Sequence, residues 1–289
     1  MKLLRELFWV SRPVSWINTA FPFAAAYFLI GGRVDATLVV GTLFFLIPYN
    51  LLMYGVNDVF DYESDMRNPR KGSIEGSVLA PRWHRAILGW AFGLTAPFVI
   101  WMALGRNLQN ILILAFVVFM VIAYSMKGMR FKEKAFLDSF TSACHFAGPM
   151  VVGIAFAGGN PLSPVSILLT SAFLLWGMAS HAFGAVQDIV ADREGGLASI
   201  ATILGAKTTV RLALAAYVLA AGLLLFGPWP MALGAIPLLV YPPMVWPFRN
   251  LTDDQCEQAN RGWKKFIALN YIAGFLVTML LIANQLGLI

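Results

Sequence analysis

Residues 36–65 read ATLVVGTLFFLIPYNLLMYGVNDVFDYESD, an apolar run long enough to cross a bilayer that ends in a dense acidic motif. If the helix continues through the motif, Asn57, Asp61 and Asp65 lie four residues apart on one face, and Asp58 borders that face. Carboxylates this close together repel one another unless a cation lies between them. Oxygen ligands of this kind suit Mg²⁺, which commonly bridges carboxylates to phosphates. The stretch therefore predicts a magnesium site at the end of a membrane helix.

A second apolar run ends in the same way. Residues 187–194 read QDIVADRE, so that Asp188 and Asp192 are again four residues apart. Either cluster alone is also compatible with a solvated helix end. Two such clusters, each at the end of a hydrophobic helix, instead predict that they hold a diphosphate together through Mg²⁺ ions.

The composition predicts an all-α integral membrane protein. Of the 289 residues 59% are hydrophobic and only 12% are charged, whereas an ordinary soluble domain is about a quarter charged. We expect one membrane domain over residues 1–289. The two cysteines, Cys144 and Cys256, predict neither a disulfide framework nor a thiolate metal site.

Nine runs are long enough to cross the hydrocarbon core. They lie at 14–31, 36–57, 83–104, 108–125, 136–157, 164–187, 208–227, 229–248 and 264–286. Four prolines in the eighth run predict a kinked or partly irregular helix. Two spans precede the first acidic motif, and spans five and six precede the second; hydropathy alone does not establish such a weak internal repeat.

The distribution of cations predicts the topology. Of the 21 Lys and Arg residues, 19 lie in the N-terminal segment and in alternate connecting segments, and only Arg33 and Arg106 lie on the opposite side. By the positive-inside rule, the N-terminus is cytoplasmic. Both acidic motifs then face the cytoplasm, and we expect a multi-pass protein of the cell (plasma) membrane. Because topology explains the basic surplus, nucleic-acid binding has no support.

With these motifs in place, the chain resembles the UbiA superfamily of intramembrane prenyltransferases. NDVFDYESD resembles the family's NDxxDxxxD, and QDIVADREGG resembles its DxxxD. AYSMKGMRFKEK resembles the Tyr-Ser loop after span four, and SRP at 11–13 resembles the family's N-terminal Arg-Pro. The resemblance covers nearly the full length. It implies a bundle of nine transmembrane helices around a central cavity.

The resemblance also implies roles for particular residues. Mg²⁺ would be held by Asn57, Asp58, Asp61, Asp65, Asp188 and Asp192, and the four catalytic residues would be Asp61, Asp65, Asp188 and Asp192. Contacts to an allylic diphosphate would come from Arg12, Arg67, Lys71, Tyr124, Ser125 and Lys127. The sequence NPRKGS at 68–73 departs from the Lys-Arg-Pro stretch of many members. This departure leaves open which of Arg67, Arg70 and Lys71 reaches the phosphate.

The stretch at 45–76 looks most like the lycopene-elongating branch of the superfamily. That likeness implies transfer of C5 units from dimethylallyl diphosphate to the ends of lycopene, giving C45 and C50 carotenoids. Loss of diphosphate would leave an allyl cation, which the acceptor's double bond attacks. The expected partners are dimethylallyl diphosphate, a lipophilic acceptor with lycopene favoured, membrane lipid and enzymes of the carotenoid pathway.

Two alternatives stay open. One is prenylation of an aromatic quinone precursor or of a glycerol-phosphate acceptor. The other is a cation-coupled transporter, which is disfavoured because the acids cluster at one membrane face and the opposite side has only Arg33, Asp35 and Arg106 as charges. We further expect Asp138 to pair with a neighbouring lysine, and His145 and His181 to be hydrogen-bonded structural residues.

Overall fold

The computed structural model describes residues 2–31, 33–66 and 79–289, without the side chains of Ser64 and Asp65. Within these ranges the structure is helical, with nine segments long and apolar enough to span a membrane. This confirms the predicted all-α fold with nine spans. The helices are α1 Lys2–Val10, α2 Trp16–Gly31, α3 Ala36–Leu46, α4 Pro48–Phe60, α5 Tyr62–Asp65, α6 His84–Ala103, α7 Leu108–Ser125, α8 Leu137–Phe156, α9 Pro164–Val186, α10 Ile189–Glu194, α11 Ile200–Leu224, α12 Ala235–Leu238, α13 Tyr241–Val245 and α14 Asn260–Gln285.

The chain divides into two compact units. Unit 1 comprises Met1–Phe131 and Cys144–Pro161, and unit 2 comprises Lys132–Ala143 and Leu162–Ile289. In unit 1 the buried rings of Phe23, Phe45 and Tyr49 pack together. A Cβ at Gly153 would lie 2.6 Å from the carbonyl oxygen of Phe23, so this glycine permits the close approach of α2 and α8.

The second span is broken, although the sequence predicted one helix over 36–57. Pro48 has no N–H to donate, and α3 ends two residues before it. The side-chain amide of Asn50 donates to the carbonyl oxygens of Phe45 and Leu46, at 2.9 and 3.1 Å. Asn50 is completely buried. It therefore satisfies carbonyl groups at the end of α3 that have no access to water.

In unit 2, α9 and α11 are joined by a hydrogen bond between the hydroxyls of Ser180 and Tyr217, 2.8 Å apart. The seventh span begins at Ile200 rather than at the predicted residue 208, and it is kinked at Gly205. The predicted irregularity of the eighth span is confirmed. It consists of 3₁₀ turns and the short helices α12 and α13.

Asp138 stabilises the start of α11, and the expectation that it pairs with a lysine was wrong. Its carboxylate is completely buried and accepts hydrogen bonds from the backbone N–H groups of Ser139 and Ile200, at 2.6 and 2.7 Å. These bonds satisfy a donor at the N-terminus of the helix. The hydroxyl of Ser139 also lies 3.1 Å from Nδ1 of His181, so this histidine is hydrogen-bonded, as predicted.

Candidate functional site

The first aspartate motif lies at a helix break, so the helix does not continue through the motif. α4 ends at Phe60, and Asp61 adopts φ −101° and ψ 1° before the chain enters the short α5. This conformation falls in the sparsely populated bridge region, where many active-site residues are found. The backbone N–H of Asp61 still donates to the carbonyl of Asn57 at 2.9 Å. The four-residue spacing is therefore kept although the helix ends.

The structure brings three predicted site residues together in unit 1. The amide nitrogen of Asn57 donates to Oδ2 of Asp61 at 2.6 Å and to the hydroxyl of Ser125 at 2.9 Å. Asp61 and Ser125 are both buried. Asn57 therefore fixes the orientation of the Asp61 carboxylate and links it to the end of α7.

Two further predicted residues form an ion pair. Nη2 of Arg12 lies 2.8 Å from Oδ1 of Asp58, whose side chain is only 1% exposed. The guanidinium also lies over the ring of Tyr54, 4.1 Å from its centroid. Arg12 has a left-handed backbone with φ 49°. The sequence assigned Arg12 to the diphosphate and Asp58 to the metal, and the structure adds a direct contact between them.

Arg130 is a functional candidate that the sequence treated only as a loop cation. Its Nη1 donates to the carbonyl of Phe60 at 3.3 Å, and its Nη2 lies 3.6 Å from Oδ1 of Asp61. It therefore places a positive charge at the C-terminal end of α4, where a helix favours cations. Its position in the loop after Tyr124 and Ser125 was the available signal. Lys127, in the same loop, is exposed.

Tyr124 and His145 form a second contact in this unit. Their rings meet edge to face with centroids 5.2 Å apart. Nε2 of His145 lies 3.3 Å from the carbonyl of Met120, which confirms that this histidine is hydrogen-bonded. Tyr124 and Ser125 both belong to unit 1, which also contains the first motif.

The second motif repeats the backbone geometry of the first. α9 ends at Val186, and Asp188 adopts φ −100° and ψ −3° before the short α10 begins. The N–H of Asp192 donates to the carbonyl of Asp188 at 2.8 Å. Asp188 thus lies at a helix junction in unit 2, with nearly the same φ and ψ as Asp61 has in unit 1.

The donors of both motifs fit Mg²⁺. The side chains that the sequence assigned to the metal offer carboxylate and amide oxygens, the hard ligands that Mg²⁺ prefers, and Asn57 orients one of them by a hydrogen bond. Within residues 2–31, 33–66 and 79–289, no three Asp, Glu, His or Cys side chains form a group that could hold a metal ion. Mg²⁺ usually keeps several waters and is held by one or two carboxylates plus phosphate oxygens. The side chain of Asp65, and Arg67, Arg70 and Lys71, lie outside the described residues.

Comparison with known proteins gives consistent matches. Residues 19–283 match the UbiA prenyltransferase family. A lycopene elongase/hydratase of Corynebacterium glutamicum is 49% identical over 284 residues, which cover 98% of each chain. A C(50) beta-cyclic carotenoids biosynthesis protein of Dietzia sp. is 53% identical over 285 residues, 98% of this chain but 66% of that protein. The solved structure of a UbiA homolog from Archaeoglobus fulgidus bound to DMAPP and Mg²⁺ has a TM-score of 0.67 at 16% identity, covering 92% of this chain and 98% of that chain.

Proposed function

The chain belongs to the UbiA prenyltransferase family, and from this premise we propose that it adds C5 units from dimethylallyl diphosphate to the ends of lycopene. The enzyme class and its place in carotenoid biosynthesis follow from the family and from the relatives. The near-full-length similarity to the lycopene elongase/hydratase of C. glutamicum carries the proposal of the acceptor. The donor is supported by the archaeal homolog of the same fold, which was solved with DMAPP and Mg²⁺.

In this proposal the two aspartate motifs bind Mg²⁺ and, with it, the diphosphate. The ligands are Asn57, Asp58, Asp61, Asp65, Asp188 and Asp192. When bound, Mg²⁺ supplies positive charge that stabilises the leaving diphosphate. The recurrence of one backbone conformation at Asp61 and Asp188 supports equivalent roles for these two residues.

The chain's own cations and hydroxyls complete the proposed diphosphate site. Arg12, Arg67, Lys71 and Lys127 neutralise its charge, and Tyr124 and Ser125 bond to its oxygens. Arg130 holds the Asp61 carboxylate through its contacts to that residue and to the carbonyl of Phe60. Such fixed charges and dipoles stabilise the charge that develops as the leaving group departs.

The bond changes follow from the substrates. The allylic C–O bond breaks with its electron pair going to the diphosphate oxygen, which leaves an allyl cation. The terminal double bond of the acceptor attacks this cation, forms the new C–C bond and becomes a tertiary cation. That second cation either loses a proton or takes up water and then releases a proton. The word hydratase in the name of the C. glutamicum relative favours the uptake of water.

We further propose a single catalytic membrane domain over residues 1–289, with the N-terminus and both motifs facing the cytoplasm at the plasma membrane. The family match over residues 19–283 supports a single domain. The asymmetry of Lys and Arg between the two sides supports the orientation. Labelling of single cysteines placed at Lys127 and at Arg106 by an impermeant reagent tests it. Labelling of intact cells at position 127 and not at 106 would overturn the orientation.

The test of the reaction is expression in a lycopene-accumulating bacterium, with the pigments analysed by liquid chromatography and mass spectrometry. We expect C45 and C50 pigments, and each uptake of water increases the mass of the pigment by one water molecule. Asp61→Asn and Asp188→Asn should each lower product formation by about 10²–10³-fold at equal protein in the membrane, because each loses a charge that holds the diphosphate. Glu63→Gln, which removes an exposed acid of the same motif, is the matched control.

Two results would count against the proposal. Unchanged lycopene in cells that contain well-folded protein would reject lycopene as the acceptor, and the purified enzyme would then be assayed with 4-hydroxybenzoate and with a glycerol-phosphate acceptor. Undiminished product in both aspartate variants would reject the assignment of the metal site.

A further inference from the structure

One segment of unit 2 contacts the chain on both sides of the second aspartate motif. This segment, the 253–260 clamp, consists of the 3₁₀ stretch Asp253–Ala259 and the following Asn260. Before the motif, the amide of Asn260 donates to Oε1 of Gln187 at 2.5 Å. After the motif, Nη1 of Arg193 donates to Oδ2 of Asp253 at 2.7 Å. The clamp thus holds residues on both sides of Asp188 and Asp192.

Arg193 connects the motif to a second element as well. Its Nε and Nη2 donate to the carbonyl oxygen of Thr202 in α11, at 3.1 and 2.7 Å. All three guanidinium nitrogens of Arg193 therefore donate to acceptors within the protein. Since the fork of arginine is planar and rigid, these bonds fix the direction in which the end of α10 points.

The clamp is itself anchored at the kink of α11. Gly205 has φ 75° and ψ 165°, which interrupts the helix. Oδ1 of Asp253 accepts a hydrogen bond from the N–H of Ala206 at 2.6 Å, so it caps the part of α11 that follows the kink. A Cβ at Gly205 would lie 3.0 Å from the same oxygen. Asp253 therefore links the side chain of Arg193 to the backbone N–H of Ala206.

The stability gained from the ion pair alone is small. The side chains of Arg193 and Asp253 are 45% and 36% exposed, and exposed pairs contribute about 0–1 kcal/mol. α10 has only six residues, and so short a helix does not hold its conformation without outside contacts. The principal effect of the clamp is consequently on the orientation of α10, and with it on Asp188 and Asp192.

We propose that Arg193 and Asp253 are positioning residues that hold Asp188 and Asp192 in the arrangement that binds Mg²⁺. The inference rests on the proposed role of the second motif as a magnesium site. Residues that orient metal ligands through hydrogen bonds commonly change metal affinity by about 10–100-fold when they are replaced.

The test compares Asp253→Asn and Arg193→Gln with Asp254→Asn. Asp253→Asn keeps an oxygen for the Ala206 N–H and loses the negative charge, whereas Asp254 is the exposed neighbouring acid and its replacement changes the net charge equally. Mn²⁺, used in place of Mg²⁺, is titrated into purified protein with unreactive dimethylallyl thiolodiphosphate present, and free Mn²⁺ is measured by electron paramagnetic resonance. Product formation is measured separately against Mg²⁺ concentration.

We expect both clamp variants to raise the Mn²⁺ dissociation constant and the half-saturating Mg²⁺ concentration about tenfold. Turnover at saturating Mg²⁺ should stay within about twofold of wild type, because the ligands themselves are intact. Asp254→Asn should match wild type in both assays. If Asp253→Asn does not accumulate in the membrane, Arg193→Gln carries the same expectation, since it leaves the Asp253 cap on Ala206 in place.

Wild-type Mn²⁺ affinity in the clamp variants, with or without loss of turnover, would overturn the positioning role. Asp192→Asn, run in the same assays, separates this failure from that of the proposed function. If Asp192→Asn loses metal affinity and product while the clamp variants keep their affinity, only the clamp is wrong. If Asp192→Asn keeps both, the metal role of the second motif is wrong, and the clamp inference falls with it.

Discussion

Replacing Arg12 with methionine is expected to destabilise the protein mainly through the buried carboxylate of Asp58. That side chain is 1% exposed and lies 2.8 Å from the guanidinium. Removing the cation leaves the carboxylate in a position where water cannot replace the lost charge, and breaking a buried pair in this way costs about 3–5 kcal/mol. Methionine keeps much of the aliphatic stem, so the lost contact with Tyr54 adds only about 0.5–1 kcal/mol. We expect the free energy of unfolding to fall by about 3.5–6 kcal/mol.

Asp58→Asn should cost less, about 1–2 kcal/mol, because an oxygen remains to accept from Arg12. The Arg12 side chain is 19% exposed and can reach water. The double variant has no buried charge left at this position. It should therefore be more stable than the sum of the two single effects predicts, by about 2–3 kcal/mol. Denaturant unfolding in mixed micelles, followed by tryptophan fluorescence, measures all four free energies.

If the losses of unfolding free energy in the two single variants add up to the loss in the double variant within about 0.5 kcal/mol, the energetic coupling of Arg12 and Asp58 is refuted. The same variants separate the pairing of Arg12 from its proposed contact with the diphosphate. If Arg12 also binds the diphosphate, Arg12→Met raises the KM for dimethylallyl diphosphate even in the Asp58→Asn background. If it acts only on Asp58, the KM in that background does not change.

Two further predictions concern the backbone. The pKa of Asp35 is lowered, chiefly by the hydrogen bond from the Leu38 N–H. The stability that the Asp35 carboxylate adds to the start of α3 is therefore complete above the unfolded pKa of about 3.9, and it is lost as the pH falls through the lower folded pKa. Hydrogen exchange at Leu38 should accordingly gain extra pH dependence below about pH 4 in wild type but not in Asp35→Asn, and equal profiles would contradict this. Gly205→Ala should lower the free energy of unfolding by about 1–3 kcal/mol, because only glycine adopts the φ and ψ of this position readily. Gly222→Ala is the control, since a Cβ there meets nothing within 4 Å. Equal unfolding temperatures for the two variants would argue against backbone strain at Gly205.

Hydropathy predicted most of the fold because a membrane span needs length and apolar character, which a sequence displays directly. The breaks inside spans were harder to predict. The prediction of one helix over 36–57 overlooked Pro48, and the break depends on Asn50, whose amide bonds to the carbonyls before the proline. The start of α11 was placed eight residues too late, because Gly205 and Lys207 interrupt the apolar run. The N–H of Ile200, where the helix begins, is bonded by Asp138 from another helix.

The site was predictable where its contacts are local in the sequence. The four-residue spacing gave the neighbourhood of Asn57 and Asp61, which the structure confirms with a hydrogen bond of 2.6 Å. Other residues that contact the motifs are distant along the chain. Arg130 bonds to a carbonyl 70 positions away, and Arg193 pairs with Asp253 across 60 positions. No local pattern encodes such pairs, and the few cations that bond to the motifs cannot be told apart by sequence from the many others in the connecting loops.

The helix breaks at Asp61 and at Asp188 support an internal repeat that hydropathy alone does not establish. In a continuous helix, two aspartates four residues apart would lie on one face and repel each other. Asp61 directly follows α4 and Asp188 directly precedes α10, while Asp65 and Asp192 lie in the short helices α5 and α10. In the second motif the N–H of Asp192 still donates to the carbonyl of Asp188 across the junction. Asp61 and Asp188 agree within a few degrees in φ and ψ, although they lie in units that share no residues. Such agreement at a sparsely populated conformation supports the proposal that Asp61 and Asp188 have equivalent roles.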